Sequence, residues 1–142
     1  GDGYGIHMSN AKVELFDVAL KGCVGAGLRV SLTTSSTNTL VATRCEFANS
    51  VYGASVEGSS TSATFKNSVF HDNKYKGLAG CRSTIHLHGE ETAIHSNGRN
   101  GISAWNSAKV IIHLPSHHNT CYNNGGQDRV TRSGGTITNV ED

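Results

Sequence analysis

Set out in rows that each begin at a glycine, the sequence lines up with itself. Those glycines are Gly3, Gly27, Gly53, Gly77, Gly101 and Gly125, at intervals of 24 broken once by 26. Six positions after the first five stand Ser9, Thr33, Ser59, Ser83 and Ser107. Four positions before each glycine from the second row on stand Cys23, Asn49, Asn73, Asn97 and Cys121. A fixed period has to be read before any single motif because it dictates the fold. Helical repeats need about 33–47 residues and propeller blades about 40–50. Leucines are too few for a leucine-rich repeat, which leaves a β-solenoid.

The apolar residues supply the strands. After each glycine comes an alternating pair: Tyr4/Ile6, Leu28/Val30, Ala54/Val56, Leu78/Gly80 and Ile102/Ala104. A second alternating run follows each hydroxyl column, for example Ala11/Val13/Leu15, Ala63/Phe65 and Ile85/Leu87. A third apolar position holds Leu20, Phe70 and Ile94, with Phe47 one residue out of line. Alternation with period two marks a strand with one face inward. Three short strands and three turns per repeat predict an all-β chain. It is a single-stranded right-handed parallel β-helix of five to six rungs, forming one domain over residues 1–142. The expected rungs are 1–24, 25–50, 51–74, 75–98 and 99–122, with a partial one over 123–142. The extra length of the second row falls within or near Thr33–Thr39, a bulged polar turn. A last strand at Thr136–Thr138 is expected to cover part of the C-terminal end.

The pattern Asn-x-x-x-Gly-Leu-x-x-x-x-Ser (Asn73 to Ser83), followed by Ile85-x-Leu87 and a third apolar position, resembles the parallel β-helix repeat of the pectin-lyase-like superfamily. The later stretches His113–Cys121 and Gly134–Val140 resemble uncharacterised β-helix proteins of marine algae. The superfamily resemblance covers nearly the whole chain and implies the fold. It leaves the activity open, since it spans pectate lyases, polygalacturonases, alginate epimerases, phage tailspikes and noncatalytic modules.

Composition narrows the partners. Twelve basic and eleven acidic residues give a formal charge of +1, without a basic run or an aromatic platform in sequence, so nucleic acid is not expected. The apolar runs are too short to span a membrane. The chain starts at glycine, which fits a processed product or an excised domain. Cys23 and Cys121 share a column but lie about four rungs apart, roughly 19 Å at the strand spacing. Cys45 and Cys81 fall in other columns. Disulfides need Cα atoms within about 7 Å. Four reduced thiols are therefore expected, leaning toward a reducing compartment; the sequence carries no other indication of location.

The polar columns read first as structure. Cys23, Asn49, Asn73, Asn97 and Cys121 form a ladder that satisfies its own donors and acceptors. His86 and His88 alternate on one strand face, and His113 nears them one rung on. They are the candidate metal ligands, but no carboxylate or cysteine keeps a fixed offset beside them, and solvent-facing imidazoles are the preferred reading. No cofactor is expected. Catalysis by acids of this superfamily would need carboxylates facing one groove, and the eleven here scatter. Threonines crowd at 33–39 and 61–64 without continuing, which speaks against an ice-binding face. The favoured function is a noncatalytic structural or interaction module, assembled end to end or continued by further rungs. The alternative is a carbohydrate-binding or carbohydrate-active protein using Asp72, Arg82 and Arg99, with Trp105 and the histidines along the same groove.

Overall fold

The computed structural model describes residues 3–31, 37–114 and 120–141. Among these, all regular structure is β. Seventeen strands repeat in threes. The first rung is β1 (Ile6–Met8), β2 (Lys12–Phe16) and β3 (Ala19–Lys21), and the second β4 (Ala26–Val30), β5 (Asn38–Thr43) and β6 (Glu46–Ala48). Then come β7 (Tyr52–Glu57), β8 (Thr61–Lys66) and β9 (Val69–His71), followed by β10 (Lys76–Cys81), β11 (Thr84–His88) and β12 (Ala93–His95). The last full rung is β13 (Asn100–Trp105), β14 (Lys109–Leu114) and β15 (Cys121–Tyr122), and β16 (Arg129–Arg132) and β17 (Thr136–Glu141) begin another. The strands stack into three parallel sheets: β1-β4-β7-β10-β13-β16, β2-β5-β8-β11-β14-β17 and β3-β6-β9-β12-β15.

Alternation drives this arrangement. In β8 the pattern puts Ala63 and Phe65 inward and fully buried, with Ser62 and Lys66 exposed. The second apolar run keeps register throughout: Val13 lies on Leu40, Leu40 on Ala63, Ala63 on Ile85 and Ile85 on Val110. The third column is Leu20, Phe47, Phe70, Ile94 and Cys121, so Phe47 is in line after all. Phe47 stacks on Phe70 at 4.8 Å between centroids, and Phe65 meets both edge-on. Burying each such ring is worth about 1.5–3 kcal/mol, and offset and edge-on pairing adds to that.

The vertical interval is less regular than the sequence columns suggest. Ile6 pairs Leu28 across a short rung, whereas Lys12 pairs Thr39 and Ile102 pairs Arg129 across longer ones. The extra residues of the second rung therefore lie between Val30 and Asn38. Thr33 and most of that polar turn fall outside the described residues, as do Pro115, His117 and His118.

This drift corrects the glycine, asparagine and hydroxyl columns. The glycine stack is Gly5, Gly27, Gly53, Gly77 and Gly101. A Cβ on Gly5 would meet the Gly27 carbonyl at 2.7 Å, one on Gly27 the Gly53 carbonyl at 2.9 Å, and one on Gly77 the Ile94 side chain at 2.7 Å. Four of these glycines lie within strands of the first sheet and have no positive φ, so they are required for close approach and not for turning. Gly3 turns at φ 77° beside Val24, and a Cβ on Gly125 would crowd the Gly98 carbonyl; neither belongs to the stack.

The polar column at the corner between the third and first sheets is Cys23, Ser50, Asn73, Asn97 and Asn124. The Cys23 amide donates to Ser50 Oγ, and the Ser50 amide to Asn73 Oδ1. Asn73 Nδ2 donates to Asn97 Oδ1 and Asn97 Nδ2 to Asn124 Oδ1, each at 2.9 Å. Asn49 stands one residue earlier, exposed, at φ 55°, in a left-handed column with Gly22, Asp72, Ser96 and Asn123. Asn, Asp and Gly tolerate that conformation best. Cys121 belongs to the apolar column instead.

At the corner between the first and second sheets the stack is Asn38, Thr61 and Ser83. Asn38 Nδ2 reaches Thr61 Oγ1 and Ser83 Oγ donates to the Val56 carbonyl. Ser107 sits outside it, at φ 66° beside Asn106 at 49°, where one extra residue is accommodated. The last strand, β17, continues the second sheet in register with β14 and does not lie across the end.

Candidate functional site

The outward face of the first sheet carries the most unusual surface. Alternation brings Arg29, Ser55, Ala79, Ser103 and Val130 into one outward column, and Glu57, Cys81, Trp105 and Arg132 into the next. The first of these is mostly small residues, which leaves a shallow floor. Tyr52 and Lys76 stand in register where the strands begin, and Tyr75 precedes Lys76 at the corner. Two neighbouring clefts of about 310 Å³ each result, and Tyr52, Lys76 and Trp105 line both.

Cations crowd this face. The Lys76 ammonium lies 4.6 Å from the centre of the Trp105 ring, and the Arg99 guanidinium 4.7 Å from that of Tyr75. Lys76 Nζ also donates to the buried Ser103 hydroxyl at 3.3 Å. Burial pushes the Lys76 pKa down, and repulsion from Arg132 and Arg99 pushes it further. The acid lining the clefts is Glu57, and Arg29 holds it at 2.9 Å. Lys76, Arg99 and Arg132 thus face one another across a groove with an exposed indole beside them. Such a site suits an anion with flat apolar faces.

The residues singled out for catalysis do not meet. Asp72 and Arg82 lie beyond opposite ends of β10, roughly 20 Å apart for a strand of that extended length. Arg99 shares the Asp72 corner one rung on, but it turns to Tyr75. Trp105 is on the first sheet, His86, His88 and His113 are on the second, and His71 and His95 are on the third. They face three different ways and share no groove.

Two further clusters lie on the other sheets, the second of them made of the histidines singled out from the sequence. On the third sheet His71 Nδ1 bonds Asp72, and Nε2 bonds Glu46 at 2.6 Å, with Lys21 completing the chain at 2.9 Å from Glu46. Burial alone would lower the His71 pKa, but the bonds to Asp72 and Glu46 outweigh it and the net shift is upward. The Glu46 carboxyl is held down by His71 and then Lys21. Glu46 and His71 stand on adjacent rungs as diagonal neighbours, Glu46 in register with Val69 and His71 with Ala48, so a scan at the period of the inward residues does not pair them. The Tyr52/Lys76 and Tyr75/Arg99 intervals of 24 do match the repeat and were open to such a scan.

On the second sheet His86 Nδ1 lies 2.8 Å from His113 Nε2, and the rings of His88 and His113 stack at 3.9 Å. Burial lowers the His86 pKa, with His113 adding to the effect.

All four cysteines are free, though only Cys45 is buried. Cys121, packed against the core and close to the Asp128 carbonyl, is pushed up to about 12 by burial and then by the Asp128 charge, which removes it as a nucleophile. Among the described residues, no helix is long and apolar enough to cross a membrane.

No curated protein and no solved structure matches the chain. One family does, described as the right-handed beta helix region, over residues 1–92. Those residues end in the fourth rung, and the strands beyond them continue the same three ladders. With well over half of its length matched and its strands coiled in the same way, the chain belongs to the right-handed beta helix family.

Proposed function

We propose that the chain is a noncatalytic β-solenoid module that holds an anionic polysaccharide on the outward face of its first sheet. The observation that carries this reading is the crowding of Lys76, Arg99 and Arg132 beside Trp105 and Tyr75, with the lining acid Glu57 tied to Arg29. Sugar rings present apolar CH faces that stack on indole and phenol. Carboxylate or sulfate groups match guanidinium forks and relieve the repulsion among the cations. Each rung repeats the backbone about 4.8 Å further along, so the strip lengthens with the solenoid as an extended polymer requires.

The noncatalytic half of the proposal rests on the acids. Glycoside hydrolysis needs two carboxyls about 5–9.5 Å apart with room between them. Among the described residues lining these clefts, Glu57 has no acidic companion. The paired acids of the third sheet, Glu46 and Asp72, have the His71 ring between them.

Calorimetric titration with polygalacturonate, alginate and a neutral glucan tests the reading. Binding of the uronates, weakened by salt and by Trp105→Ala or Lys76→Ala, is expected. Equal affinity for the neutral glucan, or tighter binding of a single-stranded oligonucleotide, would overturn it. Release of unsaturated or reducing ends, abolished by Asp72→Asn or Glu46→Gln, would overturn the noncatalytic half.

The end rungs favour a second property. Val13, Leu15 and Leu20 face inward but remain half-buried, while Leu40, Ala42 and Phe47 above them are fully covered. Among the described residues the outermost strands pair on one side only, and such edges are templates for further pairing. End-to-end association, or continuation by neighbouring rungs, completes them. Light scattering on the eluting protein should give a mass above 15.0 kDa that rises with concentration; a constant monomer mass would exclude self-association of this chain.

A further inference from the structure

We propose that His86, His88 and His113 form a three-imidazole site for a borderline divalent cation, Zn²⁺ or Cu²⁺. One ligand nitrogen from each lies within 4.8 Å of the others. The backbone fixes this arrangement. His86 and His88 flank Leu87 and so share the outward face of β11, while Leu87 and Ile112 stack in the core beneath them. That pairing brings His113, the residue after Ile112, over His88. Neither strand can shift without breaking two ladders, so the ligands are held by the scaffold and only ring rotations remain.

The distances suit a metal. Bonds of about 2.0–2.1 Å in a tetrahedron place ligand nitrogens roughly 3.3 Å apart. His86 Nδ1 and His113 Nε2 are now 2.8 Å apart, sharing one proton in an N–H···N bond. Opening that pair by about half an ångström and moving one ring to its other tautomer exposes both lone pairs, with no net proton loss. The partly exposed rings leave a fourth position for water. Imidazoles without a carboxylate select Zn²⁺ and Cu²⁺ over Mg²⁺ and Ca²⁺. Lys66, beneath His88, works against a cation, but its side chain is exposed and free to swing outward. The nearest alternative, the stack of His71 and His95, has its first ring committed to two carboxylates.

The test uses the untagged, chelator-treated chain, titrated by calorimetry with ZnCl₂, CuSO₄ and MgCl₂, with Cu²⁺ spin resonance reading the ligands. One equivalent of Zn²⁺ or Cu²⁺ and no Mg²⁺ is expected, with nitrogen hyperfine structure. His88→Ala and His113→Ala should each weaken binding by roughly tenfold or more, the range that even an indirect partner commands. His95→Ala should leave binding unchanged. Circular dichroism reports whether each variant keeps its β-structure. Absence of uptake, or uptake undiminished in the folded double variant His88→Ala/His113→Ala, would overturn the site.

Discussion

Two histidine stacks stand on neighbouring faces of the same coil, built by the same ladder rule, and they differ in what surrounds them. On the third sheet His71, His95 and Tyr122 lie ring over ring at 5.3 and 5.0 Å. Here His71 is clasped by Asp72 and Glu46 and holds its proton to higher pH. On the second sheet His86, His88 and His113 pack at least as closely, but burial and mutual repulsion make His86 give up its proton earlier, and no carboxylate contributes. Stacking is therefore a consequence of register and says nothing about charge. Charge follows from whether an acid occupies the adjoining outward position, as Glu46 does one rung below His71.

The comparison breaks most readily from underneath. Leu87→Ala hollows the core between His86 and His88 and should cost about 3 kcal/mol; urea unfolding measures it, and loss of Zn²⁺ uptake should accompany it. Asn97→Ala undermines the corner beside His95. It strands the Phe70 carbonyl and the Asn73 amide, which Asn97 now satisfies, and should cost about 2 kcal/mol. Equal costs for Leu87→Ala and an outward His95→Ala would mean that the faces are not supported from the core as described.

Charge separates the stacks more finely. Between the ordinary imidazole value of 6.5 and its raised one, folded His71 keeps a proton that the unfolded chain has shed. Its stabilisation is complete below the ordinary value and is lost as pH rises through the raised one. His86 has the opposite sign: as pH falls below 6.5 the unfolded chain takes up a proton first, and stability drops until the lowered folded value is passed. Proton resonance titration in chelator should find the His71 midpoint above 6.5 and that of His86 below it. Glu46→Gln should bring the His71 midpoint down and flatten its part of the pH profile, with a stability loss under about 1 kcal/mol. The smallest expected effect is that of His86→Gln, within about 0.5 kcal/mol at neutral pH without metal.

How much of this could be read beforehand depends on which way a side chain points. Inward residues answer to volume, so Phe65, Ile85 and Leu87 declared their strands, and three ladders could be drawn from alternation alone. Corner residues answer to a hydrogen bond or a backbone angle that several residue types supply. Ser50 stands where asparagine was expected, because a hydroxyl accepts from the Cys23 amide as an amide oxygen does. By spacing alone Asn49 falls into the column it adjoins, because its true neighbours, Gly22 and Asp72, sit at unequal distances along the chain. Cys121 filled a line that Asn124 occupies, since a longer last rung displaced the register. Of the outward clusters, His86, His88 and His113 are legible from alternation, whereas Glu46 beside His71 and Arg132 beside Trp105 are not, for a different reason. No core constrains these positions, and their approach shows only once the true register between rungs is known.

That interval has a consequence of its own. Runs as short as Ile6 to Leu28 and as long as Lys12 to Thr39 return to the same vertical stack, so surplus length is taken up at the corners and never reaches the floor of the coil. Segments spliced into one edge would leave the chemistry of the other two walls where it was, while a single methyl group added at Gly53 or Gly77 would collide with neighbouring groups. Such a scaffold can acquire new surfaces one wall at a time, provided that its thinnest line stays bare.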